Sequence, residues 1–305
     1  MEHVLEKLVG ESKVLERAAA GEELGMQDGI ELLKHDNHYM IGAIANTIRQ
    51  KLVGDKVTFA SSSYLNYTNV CAASCQICAF YRKENDNDAY TLTPEQIESR
   101  VSAAKMMGAT EMHIVGGFHP KLSLDYYESI MKIIKTNHPE LKIKAFTAAE
   151  IFFFAKLTKN SVREVLTRLK SSGLDSLPGG GAELFHTEIR EKIARGKCSG
   201  QEWLDTMEQA HDLGIKSNAT MLYGHIEKPE HIVDHLLKIR NLQKKTGGFL
   251  TLIPLKFSLE NTELEQNNML TRECSSIYDL KVIALSRLML SNFLNNISVY
   301  WVADG

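Results

Sequence analysis

The sequence is short of the features that mark several classes of protein. It has no apolar run of membrane-spanning length, and its N-terminus is charged and amphipathic without a cleavable apolar core, so we expect neither insertion nor export. It has no excess of basic residues: the net charge of -3 gives no field for a phosphate backbone, and nucleic acid is not an expected partner. No linker or low-complexity stretch interrupts the 305 residues, which predicts one large folded unit.

Cysteine is also scarce, and three of the five cysteines are crowded together. Cys71, Cys75 and Cys78 have the spacing C-x3-C-x2-C, whereas Cys198 and Cys274 are isolated, without a partner at ligand spacing. Crowded reactive thiols indicate a reducing compartment, since an oxidising one would couple or damage them. We therefore expect a cytoplasmic protein whose chemistry depends on the three clustered cysteines.

Three thiolates on one short loop can bind three irons of a cubane [4Fe-4S] cluster, and the fourth iron is then open to a small molecule. A ferredoxin-type cluster would need a fourth cysteine nearby, which this sequence does not provide. A structural zinc site with a histidine as fourth ligand is the alternative, although such sites usually combine two separated C-x2-C-like halves. Only one half is present, so the sequence favours the cluster and leaves a structural zinc-binding protein as the alternative.

Short apolar strands alternate with amphipathic helices from residue 55 onward. The alternation predicts a parallel α/β architecture, here a TIM-like (β/α) barrel over residues 55–305, preceded by an N-terminal helical cap over residues 1–54. The first strand is predicted to start at the run Val57–Phe59. The later strands are predicted over residues 111–115, 142–147, 174–177, 215–222, 249–254 and 297–302.

Helix signals separate these strands. Thr93 followed by Pro94 is typical of an N-cap and a first helical residue. The cap is predicted as helices within residues 3–53. The barrel helices are predicted over residues 93–108, 123–137, 149–158, 161–172, 200–213, 229–246 and 276–293.

In such a barrel the chemistry belongs on the loops that follow the carboxyl ends of the strands, and unusual residues stand there. Gly116 and Gly117 follow the second strand, where they would let a ligand approach the backbone or would simply form a tight turn. After the third strand, Thr147 and Glu150 offer a hydroxyl and a carboxylate suited to ribose hydroxyls or an ammonium group. A helix N-cap is the competing interpretation of Thr147.

The next two strand ends are also unusual. Three consecutive glycines within Leu177–Glu183 expose N–H groups that can form an anion-binding concavity at a helix N-terminus, and a flexible turn is the alternative. On the fifth strand, Asn218 and Thr220 share one face. Polar groups inside a barrel need partners, which a bound polar substrate would supply.

The cysteine spacing, with aromatic Phe80 two residues after the last cysteine, resembles the signature of the radical S-adenosylmethionine (SAM) superfamily. Over residues 40–302, the sequence further resembles the aminofutalosine synthases of the futalosine menaquinone pathway. The segments that carry this resemblance are residues 66–71, 116–120, 144–151, 176–185 and 218–227. The cyclic dehypoxanthine futalosine synthases share the cysteine and PGGGAE stretches but differ around the second and fifth strands; they and other radical SAM enzymes of that group are the alternative.

The resemblance implies an enzyme with a [4Fe-4S] cluster as cofactor and SAM as co-substrate. The 5′-deoxyadenosyl radical of SAM would add to the enol-ether double bond of 3-[(1-carboxyvinyl)oxy]benzoate, and rearrangement with loss of carbon dioxide would give 6-amino-6-deoxyfutalosine. An electron donor such as flavodoxin or ferredoxin is the implied partner. The family carries another strand and helix after the Tyr300–Val302 segment, so the radical SAM barrel is expected to lack its last strand and helix, and a non-catalytic barrel that retains the cluster is a further alternative.

The resemblance also implies roles for individual residues, although it singles out no catalytic side chain. The cluster ligands would be Cys71, Cys75 and Cys78. The SAM-binding residues would be Phe80, Tyr81, Gly116, Gly117, Thr147 and Glu150, with the two aromatic residues at the adenine. The substrate-binding residues would be Asn66, Asn69, His119, Gly180, Gly181, Asn218 and His225.

Overall fold

The protein is seen here in a computed structural model that describes residues 12–300. Six parallel strands form one sheet in chain order, so each strand lies beside the next one along the chain. The strands are β1 (Ser62–Asn66), β2 (Glu111–Val115), β3 (Lys142–Ala145), β4 (Ser176–Leu177), β5 (Lys216–Tyr223) and β6 (Phe249–Lys256). Because all neighbouring pairs are parallel, every strand ends at the same edge of this half-barrel.

Helices precede the sheet and connect its strands. Three helices come first: α1 (Lys13–Ala20), α2 (Met26–Lys34) and α3 (His38–Val53). The connecting helices are α4 (Pro94–Met106), α5 (Leu124–Asn137), α6 (Ala148–Thr158), α7 (Val162–Ser171), α8 (Thr187–Ile193), α9 (Gly200–Asp212), α10 (Pro229–Thr246), α11 (Glu263–Gln266) and α12 (Ser276–Leu290). The short helices α8 and α11 were not predicted. No helix within residues 12–300 is long and apolar enough to cross a membrane.

Local sequence signals explain where several helices begin. Helices α4, α6, α7 and α9 each start with a capping box, in which the N-cap hydroxyl and the side chain three residues later exchange hydrogen bonds with the backbone. The N-cap residues are Thr93, Thr147, Ser161 and Ser199. The predicted start of the first barrel helix at Thr93 and Pro94 is therefore confirmed.

The strands separate an inner from an outer face. On β2, Met112 and Ile114 are almost fully buried in the core shared with the helices, and Glu111, His113 and Val115 alternate with them. Side chains at the alternate positions line the concave face of the half-barrel. The sheet therefore presents polar groups to the space that a substrate would enter.

The N-terminal helices pack against α10 and α12 and contribute to the same hydrophobic core. Arg240 of α10 links the N-terminal segment to α12. Its guanidinium donates hydrogen bonds to the carbonyl of Leu24, at 2.7 Å, and to the carbonyl of Met289 in α12, at 3.2 Å. Helices on both sides of residue 54 thus contribute to one hydrophobic core. The predicted boundary between a cap and a barrel at this residue stays a prediction.

One predicted strand position was wrong, and another is formed only in part. Val57 and Phe59 are 89% and 92% exposed and precede the sheet, which begins only at Ser62. β-Propensity was misleading there because the run has no neighbouring strand to pair with. The predicted strand at 297–302 is reduced to a single bridge between Ile297 and Leu252 of β6, and residues 301 and 302 of that prediction lie outside the described part. The cap helix predicted from residue 3 likewise lies outside it as far as residue 11.

The glycine at the end of β4 allows β4 and β5 to approach closely. A Cβ atom on Gly179 would lie 2.5 Å from the carbonyl carbon of Ala219, whereas a Cβ on Gly42 of α3 would meet nothing within 4 Å. We expect Gly179→Ala to lower the free energy of unfolding by about 1–3 kcal/mol through overpacking. The matched change Gly42→Ala should raise it by about 0.5–1 kcal/mol, because alanine is the better helix former.

Urea unfolding followed by circular dichroism checks this pair of variants. Equal effects of the two substitutions would show that the close approach at Gly179 is not a packing constraint.

Candidate functional site

The cysteine loop follows β1 and is held by backbone hydrogen bonds from two distant loops. The N–H of Ala72 donates to the carbonyl of Phe118 at 2.8 Å, and the N–H of Ser74 donates to the carbonyl of Arg195 at 3.3 Å. Phe118 follows β2, and Arg195 follows α8. The loop is therefore fixed by two other strand-end connections rather than by its own sequence alone.

All three cysteines of this loop are free thiols. Cys75 is buried, and Cys71 and Cys78 are partly exposed. The backbone N–H of Phe118 donates to Cys71 Sγ at 3.3 Å, a contact of the kind that stabilises cluster sulfurs. Burial raises the pKa of the Cys75 thiol to about 11, and the nearby Lys197 ammonium opposes that shift. Three free thiols with an N–H donor and a cation beside them fit the ligand set of an iron–sulfur cluster.

Among residues 12–300, no three His, Cys, Asp or Glu side chains converge closely enough to ligate one ion. A structural zinc ion needs four ligands around one point, whereas a cubane presents its irons at separate corners.

A buried carboxylate connects the loops that follow β1, β2 and β3. Glu150 Oε1 accepts hydrogen bonds from Tyr67 Oη at 2.8 Å and from the Gly116 N–H at 3.0 Å. Its Oε2 accepts from the Thr147 N–H at 2.8 Å, and Thr147 Oγ1 in turn accepts from the Glu150 N–H at 3.1 Å. Burial raises the pKa of Glu150, while these donors favour its charged form. The helix-cap interpretation of Thr147 is confirmed, and a SAM-binding role for Thr147 and Glu150 stays a prediction.

The two glycines after β2 are required by close approach of other loops. A Cβ on Gly116 would lie 2.6 Å from the Tyr67 ring, and a Cβ on Gly117 would lie 2.2 Å from the carbonyl oxygen of Val70. Gly117 therefore lies directly against the cysteine loop. A SAM-binding role for Gly116 and Gly117 stays a prediction.

The carbonyls of the glycine-rich turn after β4 all point into the protein. They accept from three side chains: Thr220 Oγ1 bonds Gly179 at 2.7 Å, Trp203 Nε1 bonds Gly180 at 3.2 Å, and Arg190 bonds Gly181 at 2.8 Å and Ala182 at 2.5 Å. No protein acceptor within residues 12–300 takes the N–H groups of this turn. Because the carbonyls of the turn are bonded on one side, its N–H groups are available on the other. The anion-binding concavity predicted from the sequence needs such N–H groups.

A buried ion pair lies between this turn and the cysteines. Lys197 Nζ is 2.5 Å from Glu183 Oε1, and both side chains are largely buried. Burial alone would raise the pKa of Glu183, but the Lys197 ammonium outweighs it and holds that pKa below its usual value. Neither Lys197 nor Arg190 was predicted as a site residue. Their partners lie in the same connection between β4 and β5, but the sequence does not show how that connection folds back on itself.

Of the two predicted adenine-binding aromatics, Phe80 is exposed and Tyr81 is partly buried. Phe80 is 79% exposed, and the hydroxyl of Tyr81 donates to Glu263 of α11 at 2.7 Å. That hydrogen bond raises the pKa of Tyr81 to about 12. Tyr81 thus ties the cysteine loop to α11, and contact of either ring with adenine stays a prediction.

The predicted substrate-binding residues fall into two groups. The side chain of Asn69 is occupied within its own loop, since its amide donates to the Asp88 carbonyl at 2.8 Å and accepts from the Tyr90 N–H at 2.8 Å. The side chains of Asn66 and Asn218 lie on the concave face and have no such partners within residues 12–300. The structure therefore provides amides for a ligand at β1 and β5 rather than at residue 69.

The two predicted histidines are buried. His119 Nδ1 accepts from the Lys121 N–H at 3.2 Å, and His225 Nδ1 accepts from the Ile226 N–H at 2.7 Å. Burial lowers the pKa of both imidazoles. His225 Nε2 is buried and has no hydrogen-bond partner among residues 12–300, which leaves one polar atom for a ligand.

Residues 65–239 match the family model of the radical SAM superfamily. The chain belongs to the radical SAM superfamily. Residues 246–305 match the CofH/MqnC C-terminal region. Membership implies an enzyme that uses SAM and a [4Fe-4S] cluster, for which Cys71, Cys75 and Cys78 form a matching ligand set.

The similar proteins carry the names of two different enzymes. The chain is 38% identical to an aminodeoxyfutalosine synthase of Thermus thermophilus and 39% identical to one of Streptomyces coelicolor. These matches cover 94% and 95% of this radical SAM chain and 77% and 76% of those proteins. It is also 37% identical to a 5-amino-6-(D-ribitylamino)uracil–L-tyrosine 4-hydroxyphenyl transferase of Methanopyrus kandleri, over 88% of this chain and 72% of that protein.

Solved structures confirm the radical SAM fold. The FeFe-hydrogenase maturase HydG of Carboxydothermus hydrogenoformans has a TM-score of 0.73 at 18% identity, over 95% of this chain and 66% of that one. Methylornithine synthase has a TM-score of 0.70 at 18% identity, over 94% of this chain and 78% of that one.

The carboxylate of Glu150 can be tested against a matched residue. Glu164 occupies the same capping-box position in α7, but it is exposed and bonds only Ser161. Glutamine supports a capping box, so Glu164→Gln should change the free energy of unfolding by less than about 0.5 kcal/mol. Glu150→Gln should lower the free energy of unfolding by about 1–3 kcal/mol. The glutamine amide has only one acceptor oxygen, so its NH2 group would face a donor that now bonds the carboxylate.

Urea unfolding of the two variants provides the comparison. Equal stability of Glu150→Gln and Glu164→Gln would contradict the role of Glu150 in joining the three loops.

Proposed function

We propose that this radical SAM enzyme forms 6-amino-6-deoxyfutalosine. It would join the 5′-deoxyadenosyl group of SAM to the enol-ether carbon of 3-[(1-carboxyvinyl)oxy]benzoate, with rearrangement onto the ring and loss of carbon dioxide, in menaquinone biosynthesis. The observation that carries this proposal is the 38–39% identity to two aminodeoxyfutalosine synthases along 94–95% of the chain. The three-cysteine loop supports it with the required ligand set.

The residues around the cysteine loop have complementary tasks in this proposal. Cys71, Cys75 and Cys78 would hold the cluster, which when bound and reduced would supply the electron for cleavage of SAM. Gly116 and Gly117 would bring the backbone close to SAM, and Glu150, which accepts hydrogen bonds from the Gly116 and Thr147 N–H groups, would hold that backbone in place. Phe80 and Tyr81 are proposed to contact the adenine.

The substrate is a dicarboxylate, and the turn at Gly180 and Gly181 offers N–H groups for one of its anionic ends. Asn66, Asn218 and the free Nε2 of His225 are proposed to orient it, with His119 at the rim. The protein thus orients the reactants and excludes water, while the cofactor and SAM supply the reactive groups. We propose flavodoxin or ferredoxin as the electron donor.

The relatives named 4-hydroxyphenyl transferases favour a second candidate function. At 37% identity, the Methanopyrus kandleri protein is nearly as similar to this chain as the two synthases are. The second candidate is therefore transfer of the 4-hydroxyphenyl group of L-tyrosine to 5-amino-6-(D-ribitylamino)uracil. A cyclic dehypoxanthine futalosine synthase is a third, supported by the match of residues 246–305 to the CofH/MqnC C-terminal region.

Product analysis distinguishes these functions. The anaerobically reconstituted, reduced protein is incubated with SAM and either 3-[(1-carboxyvinyl)oxy]benzoate, L-tyrosine with the ribitylaminouracil, or dehypoxanthine futalosine, and the products are identified by mass spectrometry. We expect 6-amino-6-deoxyfutalosine from the first mixture, with one methionine released per adduct. Cys78→Ala should abolish the product, and Cys274→Ala, far from the loop in sequence, serves as the matched cysteine control.

If the enol ether yields 5′-deoxyadenosine and no adduct, the proposed reaction is wrong although the radical SAM assignment stands. Product from the tyrosine mixture alone would establish the second candidate instead.

A further inference from the structure

Three side chains lie side by side on the concave face of the sheet, in one layer across β1, β2 and β3. The strand register pairs Tyr64 with His113 and His113 with Lys144. All three alternate with buried core residues, so they point away from the helices. We name this set the β1–β3 layer; none of its members was predicted as a site residue.

The layer lies just below the loops that hold the candidate cofactor site. Tyr64 is two residues before the end of β1 at Asn66, and His113 is three residues before Gly116. Lys144 is three residues before Thr147. A molecule that reaches down from the cysteine loop into the half-barrel would therefore meet this layer.

His113 has polar atoms with nothing to bind within the described chain. Its ring lies 4.7 Å from the Tyr64 ring, centroid to centroid, and no residue from 12 to 300 exchanges a hydrogen bond with either ring nitrogen. Burial, together with the nearby Lys144 ammonium, lowers the pKa of His113 to about 4. The imidazole is thus neutral at pH 7 and offers one N–H donor. Tyr64 beside it is 49% exposed, and its ring meets the Tyr300 ring edge-on at 6.2 Å between centroids, so the pair is partly open to a guest.

Lys144 supplies the cation of the layer. Its Nζ is 2.8 Å from Glu111 Oε1, and its side chain is only 12% exposed. Glu111 Oε1 also accepts a hydrogen bond from Ser62 Oγ at 2.6 Å, so Lys144 is not the sole donor to that carboxylate. An ammonium has three N–H donors, and Glu111 is the only acceptor that takes one of them within residues 12–300. Two donors are available to a guest.

We propose that Tyr64, His113 and Lys144 bind the aryl carboxylate of the substrate. The aromatic ring of the guest would pack on the Tyr64–His113 pair, and its carboxylate would accept hydrogen bonds from Lys144 Nζ and the imidazole N–H. This inference rests on the proposed function, because it assigns one end of that substrate. The second carboxylate, on the enol ether, would then lie toward the cysteine loop, where the bond to the deoxyadenosyl group forms.

The layer offers a guest hydrogen-bond donors rather than a net positive charge, because Glu111 and Lys144 offset one another. A carboxylate adds one negative charge beside Glu111, whereas a phosphate would add up to two, so the monoanion is the better guest. The Tyr64 and His113 rings are tilted by 37° at 4.7 Å between centroids, a separation at which a third aromatic ring can pack on one of them. A benzoate group has both properties.

Kinetics of variants test the layer. His113→Phe keeps the ring and removes the N–H donor, and Lys144→Met in a Glu111→Gln background removes the cation without leaving an unpaired buried carboxylate. Lys142→Met, two residues earlier on β3 and 70% exposed, is the matched control. We expect each layer variant to raise the KM for 3-[(1-carboxyvinyl)oxy]benzoate about tenfold or more, with a smaller change in kcat, because a hydrogen bond to a charged group is lost.

A direct binding measurement separates this inference from the proposed function. Calorimetric titration of the reconstituted protein with 3-hydroxybenzoate should show binding that is weakened about tenfold in both layer variants and unchanged in Lys142→Met. Thermal unfolding of each variant confirms that it is folded. Unchanged KM and unchanged 3-hydroxybenzoate binding in folded layer variants would overturn the inference and leave the proposed function intact. A protein that binds 3-hydroxybenzoate through the layer but forms no adduct would support the inference and refute the proposed function.

Discussion

The arrangement of the site depends on backbone contacts that hold the cysteine loop against loops from other strands. Ala72 and Ser74 donate to carbonyls of the connections after β2 and α8, and Gly117 lies so close to Val70 that a methyl group could not be added there. Because all six strands are parallel, these connections meet at one edge of the sheet. The thiols are thus positioned by the fold as a whole, which is what a cofactor held through only three residues requires.

The buried carboxylates at this edge of the sheet each have hydrogen-bond donors or a cation as partners. Glu150 is satisfied by three donors from three loops, and Glu183 is paired with Lys197. A buried carboxylate without such partners would cost several kcal/mol, so each set also fixes the loops that supply its donors. In the glycine-rich turn the carbonyls are held by side chains, and its N–H groups have no acceptor within residues 12–300.

Much of the fold could be predicted from the sequence, because the strands and helices carry strong local signals. Thr93 and Pro94 marked a helix start, and the cysteine spacing marked the ligand set. What could not be predicted depends on how the chain folds in three dimensions. Val57 and Phe59 have strand-forming side chains but pair with no strand of the sheet, and Arg190 acquires its role only because the chain folds back on the turn eight and nine residues earlier, at 182 and 181. Glu150 was identified as a polar residue at a strand end, but its bonds to Tyr67 and Gly116 are visible only in three dimensions.

The central claim is that the loop from Cys71 to Cys78 binds a [4Fe-4S] cluster. Iron and acid-labile sulfide are measured per chain after anaerobic reconstitution, for the wild-type protein and for Cys75→Ala, with Cys198→Ala as the control outside the loop. The account predicts about four irons and four sulfides per wild-type chain, a similar content in Cys198→Ala, and loss of the cluster in Cys75→Ala. Zinc without sulfide in the wild-type protein, or a full cluster in Cys75→Ala, would contradict it.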